Sequence, residues 1–215
     1  MTQKELQSLR HEYTSASLTE TTVNTNPIKQ FELWFDEAVT AKVNDPNAMT
    51  LATATTDGRP SSRIVLLKGF DANGFIFYTN YLSRKGKEIT KNPLGALLFF
   101  WSELERQVRI EGTIEKLSKE QSEEYFHSRP KESQIGALAS PQSQEIADRD
   151  TLESKVSQLE AEYGDKIIPK PSFWGGYILK PRLIEFWQGG EGRLHDRILF
   201  KKIDNTNWKK VRLAP

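Results

Sequence analysis

The chain of 215 residues contains no cysteine. This absence excludes disulfide bonds, thiol nucleophiles and zinc sites with cysteine ligands, and it is typical of proteins in a reducing cytoplasm. Histidine is scarce as well, and the three residues His11, His127 and His195 are too scattered to show the spacing of metal ligands. No Gly-x-Ser-x-Gly motif is present. We therefore expect neither a metal site nor a nucleophilic triad.

Long apolar runs and an excess of charge of one sign are also missing. The longest apolar run covers residues 96–101, which is far too short to span a bilayer, and the polar N-terminus lacks the apolar core of a secretory signal. Lysine and arginine number 30 against 29 aspartates and glutamates, whereas nucleic-acid-binding proteins usually show a basic excess or stripe. The sequence therefore predicts a soluble, cytoplasmic protein that binds neither membranes nor nucleic acid.

Hydrophobic periodicity divides the chain into a polar N-terminal segment and one longer region. Residues 1–26 are rich in serine and threonine with little periodicity, which predicts a flexible arm. Residues 27–215 are interpreted as a single domain that opens with an amphipathic helix extending to about residue 43. The expected strands after that helix cover residues 48–56, 61–70, 74–80, 94–102 and 105–117, with three or four more between 173 and 213.

Helices are inserted among these strands instead of following each of them. Helical patterns cover residues 83–92, 118–127 and 150–164, and Pro130 predicts a break with a restart after it. A doubly wound sheet would need a helix after nearly every strand. The pattern therefore predicts a mainly β fold of the α+β class, with a barrel-like core of antiparallel strands.

Two short segments combine cations with structural boundaries. Ser83 is a good N-cap, yet Arg84 and Lys85 follow it in the first helical turn, where the helix dipole is already positive. A bound phosphate would stabilise this arrangement, and a solvated basic turn is the alternative. Strict alternation would place Arg63 and Lys68 on opposite faces of a strand, so they could serve one ligand only if the strand bulges or the ligand lies across its end. Two ordinary strand-end charges are the alternative.

A second cluster lies around Pro130. Tyr125, Arg129 and Ser133 are four residues apart, and a helix–break–helix corner at Pro130 could direct all three toward one phosphate. We interpret His127, in the same segment, as a surface or capping residue.

The glycine-rich segment 186–197 is the third candidate. As a strand, it would place Arg193, His195 and Arg197 on one face beside Trp187, forming a surface for an anion and a ring. The three glycines at 189, 190 and 192 would allow a sharp turn or a close approach to a flat ligand. A glycine-rich hairpin with surface charges is the alternative.

Several motifs together resemble one known family. They occur in order as RIVLLK (63–68), FYTN (77–80), SRK (83–85), ERQVRIEG (105–112), YFHSRPKESQIGA (125–137), SFWGGY (172–177), IEFWQGGEGRLHDR (184–197) and VRLAP (211–215). From about residue 28 to the C-terminus, and also in LRHEYT (9–14), the chain closely resembles the pyridoxamine 5'-phosphate oxidase family.

The resemblance implies an FMN-binding split β-barrel that forms a homodimer, with an FMN at each of two sites between the subunits. It implies oxidation of pyridoxamine or pyridoxine 5'-phosphate to pyridoxal 5'-phosphate, with reduction of oxygen to hydrogen peroxide. Because fold alone does not fix function, a non-enzymatic flavin or pyridoxal-phosphate carrier on the same barrel is the alternative. A nucleic-acid-binding barrel is disfavoured by the near-neutral charge.

The resemblance also implies specific site residues. Those for FMN are Arg63, Ile64, Val65, Leu66, Leu67, Lys68, Tyr78, Thr79, Arg84, Lys85, Gln107, Gln142, Ser143, Trp187 and Arg197. Those for the substrate are Lys68, Tyr125, Arg129, Ser133, Arg193, Leu194 and His195, with Arg10 and Tyr13 in a lid. Arg193 and His195 would act in catalysis by orienting the pyridine ring against the flavin.

Overall fold

The structure is a computed structural model that describes residues 1–8, 12–13 and 16–215. The helices in these residues are α1 (Gln3–Ser8), α2 (Pro27–Thr40), α3 (Arg84–Lys91), α4 (Lys119–Ser128), α5 (Lys131–Ala139) and α6 (Arg149–Tyr163). The strands are β1 (Ala48–Ala54), β2 (Pro60–Leu66), β3 (Gly69–Asp71), β4 (Gly74–Asn80), β5 (Leu94–Trp101), β6 (Arg106–Lys116), β7 (Trp174–Gln188), β8 (Asp196–Lys202) and β9 (Trp208–Arg212). No helix of the described residues has the length and apolar character needed to cross a membrane.

The strands form one sheet with the order β2-β1-β5-β6-β7-β4-β3, and β8 pairs with both β7 and β9. The β3–β4, β4–β7, β7–β8 and β8–β9 pairs are antiparallel. The chain divides into two compact units, the first comprising residues 1–50, 97–111 and 181–215, and the second residues 51–96 and 112–180. Strands β1, β5, β6 and β7 have residues in both units.

Aromatic side chains form the core of the first unit. Phe31 of helix α2 is fully buried, and its ring centre lies 5.1 Å from that of Phe99 on β5. Trp34, one helical turn further along α2, packs edge-on against Phe186 of β7 at 5.2 Å. The helix begins as the sequence predicts, because the Asn26 side chain accepts hydrogen bonds from the first-turn backbone. It ends at Thr40, three residues before the predicted end.

Part of the predicted N-terminal arm packs in the first unit. Leu18 and Val23 are each only 4% exposed. The backbone N–H of Leu18 donates to Asp196 at 2.8 Å, and its carbonyl accepts from Arg212 at 3.0 Å. These partners are almost 200 residues away in sequence, so local periodicity carries no signal of them. A lid function for residues 1–26 stays a prediction.

The second unit packs helices α3 to α6 with the remaining parts of the sheet. Strand β4 pairs with the first half of β7, and Tyr78 lies opposite Gly176 in the register. A second apolar cluster joins helices α4, α5 and α6 to Trp174 at the start of β7. The predicted corner is confirmed, because α4 ends at Ser128, Arg129 has an extended backbone, and α5 begins directly after Pro130.

Two strand predictions differ from the structure. The expected strand 61–70 is interrupted at Leu67 and Lys68, where the Lys68 N–H donates to the Ile76 carbonyl. The expected strand through residues 193–195 is wrong, because residues 191–193 form a 3-10 turn and β8 begins at Asp196. Arg193 has a φ of 64° and Gly192 a φ of 58°, values incompatible with an extended strand.

Candidate active site

A cavity of about 440 Å³ in the second unit brings together many residues that the sequence singles out. Its lining residues are Ile64, Val65, Leu66, Lys68, Tyr78, Thr79, Lys85, Tyr125, Arg129, Pro130, Ser133, Gln142 and Trp174. All of these except Pro130 and Trp174 were predicted to bind FMN or substrate. Lys68 lines the same cavity as Ile64 and Leu66, whereas Arg63 does not.

Lys85 supplies a cation to this cavity from the first turn of helix α3. Ser83 caps the helix through its hydroxyl, which accepts a hydrogen bond from the Gly86 N–H. The Lys85 ammonium donates to Gln142 Oε1 at 2.7 Å and to Thr79 Oγ1 at 3.2 Å, both of which are uncharged acceptors. Burial, followed by the positive charge of Arg63, lowers the pKa of Lys85 to about 8. An anion here would favour the charged form of this lysine.

Arg129 supplies a second cation at the corner between helices α4 and α5. Its Nη1 is buried without a hydrogen-bond partner among the described residues. Burial lowers the pKa of the guanidinium, and the neighbouring Tyr125 opposes that shift. Ser133 and Tyr125 line the cavity on either side of Arg129 in sequence, as the corner predicts. A buried donor without an acceptor is costly in a folded protein, so this corner is suited to bind an anion.

Stacked aromatic rings form one wall of the cavity. The rings of Tyr78 and Tyr125 are 3.8 Å apart and nearly parallel, and Tyr78 also stacks on Trp174 at 5.5 Å. Burial, followed by the proximity of Tyr125, raises the pKa of Tyr78 to about 12. The Tyr78 phenol therefore stays neutral at physiological pH and is able to donate a hydrogen bond.

Arg63 and Arg84 are arranged around a buried carboxylate. Glu88, only 6% exposed, accepts hydrogen bonds from Thr53 at 2.5 Å and Ser61 at 2.6 Å. It also accepts from Arg84 at 2.9 Å and pairs with Arg63 at 3.5 Å. Neither arginine lines the 440 Å³ cavity.

Arg84 and Ser143 instead line a second cavity of about 610 Å³ in the same unit. The structure thus separates two neighbouring pairs of predicted FMN residues. Lys85 and Gln142 line the first cavity, whereas Arg84 and Ser143 line the second. Leu67, another predicted FMN residue, is buried and lines neither.

Three predicted residues of the first unit form an aromatic cluster. The ring centres of Trp187 and His195 are 4.7 Å apart, and Tyr13 packs edge-on against both at 5.6 Å. The Gly190 N–H donates to His195 Nδ1 at 3.2 Å, so the neutral ring carries its proton on Nε2. A Cβ at Gly189 would lie 2.7 Å from Tyr13, so glycine is required for this approach.

The other predicted residues of the first unit differ in their surroundings. Arg197 pairs with the buried Glu185 at 2.8 Å and donates to the Ala214 carbonyl, whereas Gln107 is half-buried on β6. Arg193 and Leu194 are exposed in the turn before β8. Arg10 lies outside the described residues. Within the described residues, no group of three or more His, Cys, Asp or Glu side chains is placed to hold a metal ion.

Sequence reasoning missed Trp174 and the buried carboxylates of Glu88 and Glu185. Trp174 stands in the motif SFWGGY, which contributed to the family resemblance but received no role. Glu88 follows Arg84 by four residues on helix α3, a spacing that indicates an ion pair. Glu185 lies in a strand next to hydrophobic residues, and its pairing with Arg109 and Arg197 depends on tertiary structure.

Comparisons with known proteins show which proteins this chain is similar to. Residues 35–163 match the family described as pyridoxamine 5'-phosphate oxidase, and residues 174–215 match the pyridoxine 5'-phosphate oxidase C-terminal dimerisation region. A pyridoxine/pyridoxamine 5'-phosphate oxidase from Acaryochloris marina is 54% identical over 214 residues, covering 100% of this chain and 97% of the relative. A relative of the same name from Salinibacter ruber is 56% identical over 98% of this chain and 99% of its own length.

A solved structure is similar to this chain in both fold and sequence. PhzG from Burkholderia lata, in complex with tetrahydrophenazine-1-carboxylic acid, has a TM-score of 0.87 and 33% identity, covering 94% of this chain and 100% of PhzG. The predicted fold, an FMN-binding split β-barrel that is mainly β with inserted helices, is confirmed. The chain belongs to the pyridoxamine 5'-phosphate oxidase family.

Proposed function

We propose that this protein is an FMN-dependent oxidase that makes pyridoxal 5'-phosphate. Pyridoxine 5'-phosphate and O2 would give pyridoxal 5'-phosphate and H2O2. Pyridoxamine 5'-phosphate would additionally consume water and release ammonia, because hydrolysis of the imine at C4' forms the aldehyde. Relatives that are 54% and 56% identical and carry the name pyridoxine/pyridoxamine 5'-phosphate oxidase support this reaction.

The observation that carries the proposal is the buried Nη1 of Arg129 in the cavity of the second unit, which has no hydrogen-bond partner among the described residues. Lys68, Tyr125 and Ser133 line the same cavity and would supply an ammonium and two hydroxyl donors. A phosphate ester presents several strong acceptor oxygens, so it would satisfy these donors together. We assign Lys68, Tyr125, Arg129 and Ser133 to the substrate phosphate.

The same cavity has groups suited to FMN. Lys85 is half-buried, and its acceptors Thr79 and Gln142 are neutral, so an anionic phosphate at the start of helix α3 would compensate its charge. Thr79 and Gln142 hold this lysine in place, and the apolar side chains of Ile64, Val65 and Leu66 suit a flat ring. When bound, FMN would supply two-electron oxidation of the substrate carbon and reoxidation by O2.

The protein itself would supply binding and orientation. Anchoring the phosphate at Arg129 would fix a small ring in one position, which lowers the entropic cost of reaching the reactive geometry. Tyr78 and Tyr125 would exclude water from one side of the ligand. No strong base is required at the reacting carbon.

In the first unit we retain the assignments that the family resemblance implies. Gln107, Trp187 and Arg197 would serve FMN, whereas Arg193, Leu194 and His195 would serve the substrate. We propose a homodimer with FMN bound between subunits, which the match of residues 174–215 to a dimerisation region supports.

The decisive test is a spectrum of the purified protein followed by addition of pyridoxamine 5'-phosphate in air. We expect flavin absorbance, formation of pyridoxal 5'-phosphate and an equal amount of H2O2. A yellow protein that makes neither product would favour a flavin carrier. Because the chain is also similar to PhzG, tetrahydrophenazine-1-carboxylic acid should be tested in parallel. Oxidation of that compound alone would overturn the assignment of Arg129 to a phosphate ester.

A further inference from the structure

Trp174 lines the cavity of the second unit but has no assigned role. It is the first residue of strand β7 and is 6% exposed. Its indole ring lies parallel to the rings of Tyr78 and Tyr125 and packs edge-on against Phe126 at 5.2 Å. Three neighbouring rings therefore fix the orientation of the indole.

The Arg129 guanidinium lies over the indole ring of Trp174. The Arg129 Cζ lies 4.7 Å from the Trp174 ring centre and 6.0 Å from that of Phe126. Among the residues that the structure describes, no carboxylate pairs with Arg129, and its Nη1 has no hydrogen-bond partner. By contrast, both Arg63 and Arg84 are paired with Glu88.

An aromatic face orients a guanidinium differently from a carboxylate. Attraction to the ring quadrupole holds the cation in place, and Trp is the strongest aromatic partner for it. The ring accepts no in-plane hydrogen bond, so the N–H groups of Arg129 stay available for a ligand. A carboxylate would occupy those N–H groups and would repel an incoming phosphate.

We propose that Trp174 is a positioning residue that holds Arg129 ready to bind the phosphate of the ligand. The inference rests on the proposed function, since it assumes that Arg129 meets a phosphorylated substrate. Trp174 acts through Arg129, so it should affect ligands that carry a phosphate and leave those without one unchanged.

The test compares two variants of the flavin-loaded protein. Trp174→Phe keeps a weaker aromatic face, whereas Trp174→Met keeps an apolar side chain and removes the ring. Binding of pyridoxal 5'-phosphate and of pyridoxal is measured by difference absorbance, and inorganic phosphate serves as a competing probe. For Trp174→Met we expect the Kd of pyridoxal 5'-phosphate to rise about tenfold, with a smaller rise for Trp174→Phe.

Two further readouts separate positioning from general damage. The Kd of pyridoxal and the flavin content should stay at the wild-type level, and KM for pyridoxamine 5'-phosphate should rise more than kcat falls. In an Arg129→Gln background, Trp174→Met should have no further effect on the Kd of pyridoxal 5'-phosphate, because the two residues act as one unit. If Trp174→Met does not fold, Trp174→Phe tests the inference, and its Kd for pyridoxal 5'-phosphate should be at least about twofold higher than that of the wild type.

Equal weakening of pyridoxal and pyridoxal 5'-phosphate binding would overturn the inference, as would full additivity with Arg129→Gln. Failure of the proposed function is recognised separately, because it appears as a wild-type protein without turnover. The binding comparison needs no turnover, so it tests Trp174 in either case.

Discussion

The ammonium of Lys85, at the start of helix α3, donates a 2.7 Å hydrogen bond to the side-chain oxygen of Gln142, 57 residues away. Both residues line the cavity of the second unit. Gln142 carries no charge, so this contact orients Lys85 without neutralising it. The arrangement leaves the positive charge available to an anionic ligand.

The binding of FMN should depend on the charge of Lys85. Its pKa lies at about 8 in the free protein, and a bound phosphate would raise it. Lys85 is therefore charged below pH 8, and binding above that pH requires uptake of a proton. We expect the Kd of FMN, measured by fluorescence quenching, to be flat below about pH 8 and to rise toward tenfold per pH unit between about pH 8 and 9.5.

The matched variants for this prediction are Lys85→Arg and Lys85→Gln. Arginine stays charged throughout the range, so its Kd profile should be flat. The Lys85→Gln variant should bind FMN more weakly than the wild type, and its Kd should not depend on pH in this range. A rise of the same size in Lys85→Arg would show that another group controls the profile.

Glu88 should stabilise the fold most strongly above acidic pH. Burial disfavours its charged form, but hydrogen bonds from Ser61, Thr53 and Arg84 outweigh burial and lower its pKa from 4.5 to about 2. Its contribution is thus complete above pH 4.5 and is lost as the pH falls toward 2. We expect Glu88→Gln to lower the free energy of unfolding at pH 7 by about 2 to 3 kcal/mol.

Urea denaturation at several pH values measures this effect. The difference between wild type and Glu88→Gln should shrink between pH 4.5 and about 2. Glu115→Gln is the control, because Glu115 pairs with Lys180 at the surface. This control should change stability by less than about 0.5 kcal/mol. A pH-independent loss in Glu88→Gln would contradict the prediction.

Arg129→Ala should impair recognition of the phosphorylated substrate. Removing a buried, charge-assisted donor should raise KM for pyridoxamine 5'-phosphate by at least about tenfold. The FMN content should fall less than the affinity for substrate. Steady-state kinetics and flavin absorbance measure both effects, and Arg149→Ala, at an exposed position of helix α6, is the control. Loss of flavin with an unchanged KM would assign Arg129 to FMN instead.

Gly176→Ala should disturb the aromatic wall. The added Cβ would lie 2.5 Å from Leu117 and 2.8 Å from the Tyr78 ring. Tyr78 cannot move away without breaking its 3.8 Å stack on Tyr125. We expect a loss of about 1 to 3 kcal/mol in unfolding free energy and a higher KM.

Gly136→Ala is the matched control for Gly176→Ala. A Cβ at Gly136 meets nothing within 4 Å, and the residue lies inside helix α5. This change should leave stability equal or raise it by up to about 1 kcal/mol. Equal behaviour of the two variants would exclude a packing role for Gly176.

Arg193→Ala should lower turnover and leave the flavin bound. The side chain is exposed, so its removal should not affect folding. Because Arg193 has a φ of 64°, Arg193→Gly is a useful second variant whose backbone suits this conformation. Both variants should lower kcat/KM to a similar extent. An unchanged kcat/KM would remove Arg193 from the substrate site.

Local signals predicted several helix boundaries. Ser83 and Asn26 start helices at their predicted positions because N-caps act within a few residues. Pro130 breaks the helix because its ring excludes a continuous turn. The N-cap at Ser83 and the break at Pro130 thus begin or end the helices next to Lys85 and Arg129, both of which line the cavity.

Other features did not follow from local periodicity. Periodicity predicted a strand at residue 193, yet the glycines before it allow a tight turn there. The family resemblance implies that Arg63 and Arg84 bind FMN, but both side chains pair with Glu88 in the structure. Burial of that carboxylate also depends on Thr53 and Ser61, more than 25 residues before it.

The sequence by itself determined the mainly β class, the helix starts, the corner at Pro130 and, through its ordered motifs, the family. These depend on local backbone preferences and on the identity of neighbouring residues. Only the tertiary structure decided which cations are neutralised and which are free for a ligand. Glu88 pairs with arginines, whereas the Trp174 ring holds Arg129 without a carboxylate. The spacing of Arg84 and Glu88 indicates their ion pair. Arg63 and Glu88, like Arg129 and Trp174, are distant in sequence, and only folding brings them together.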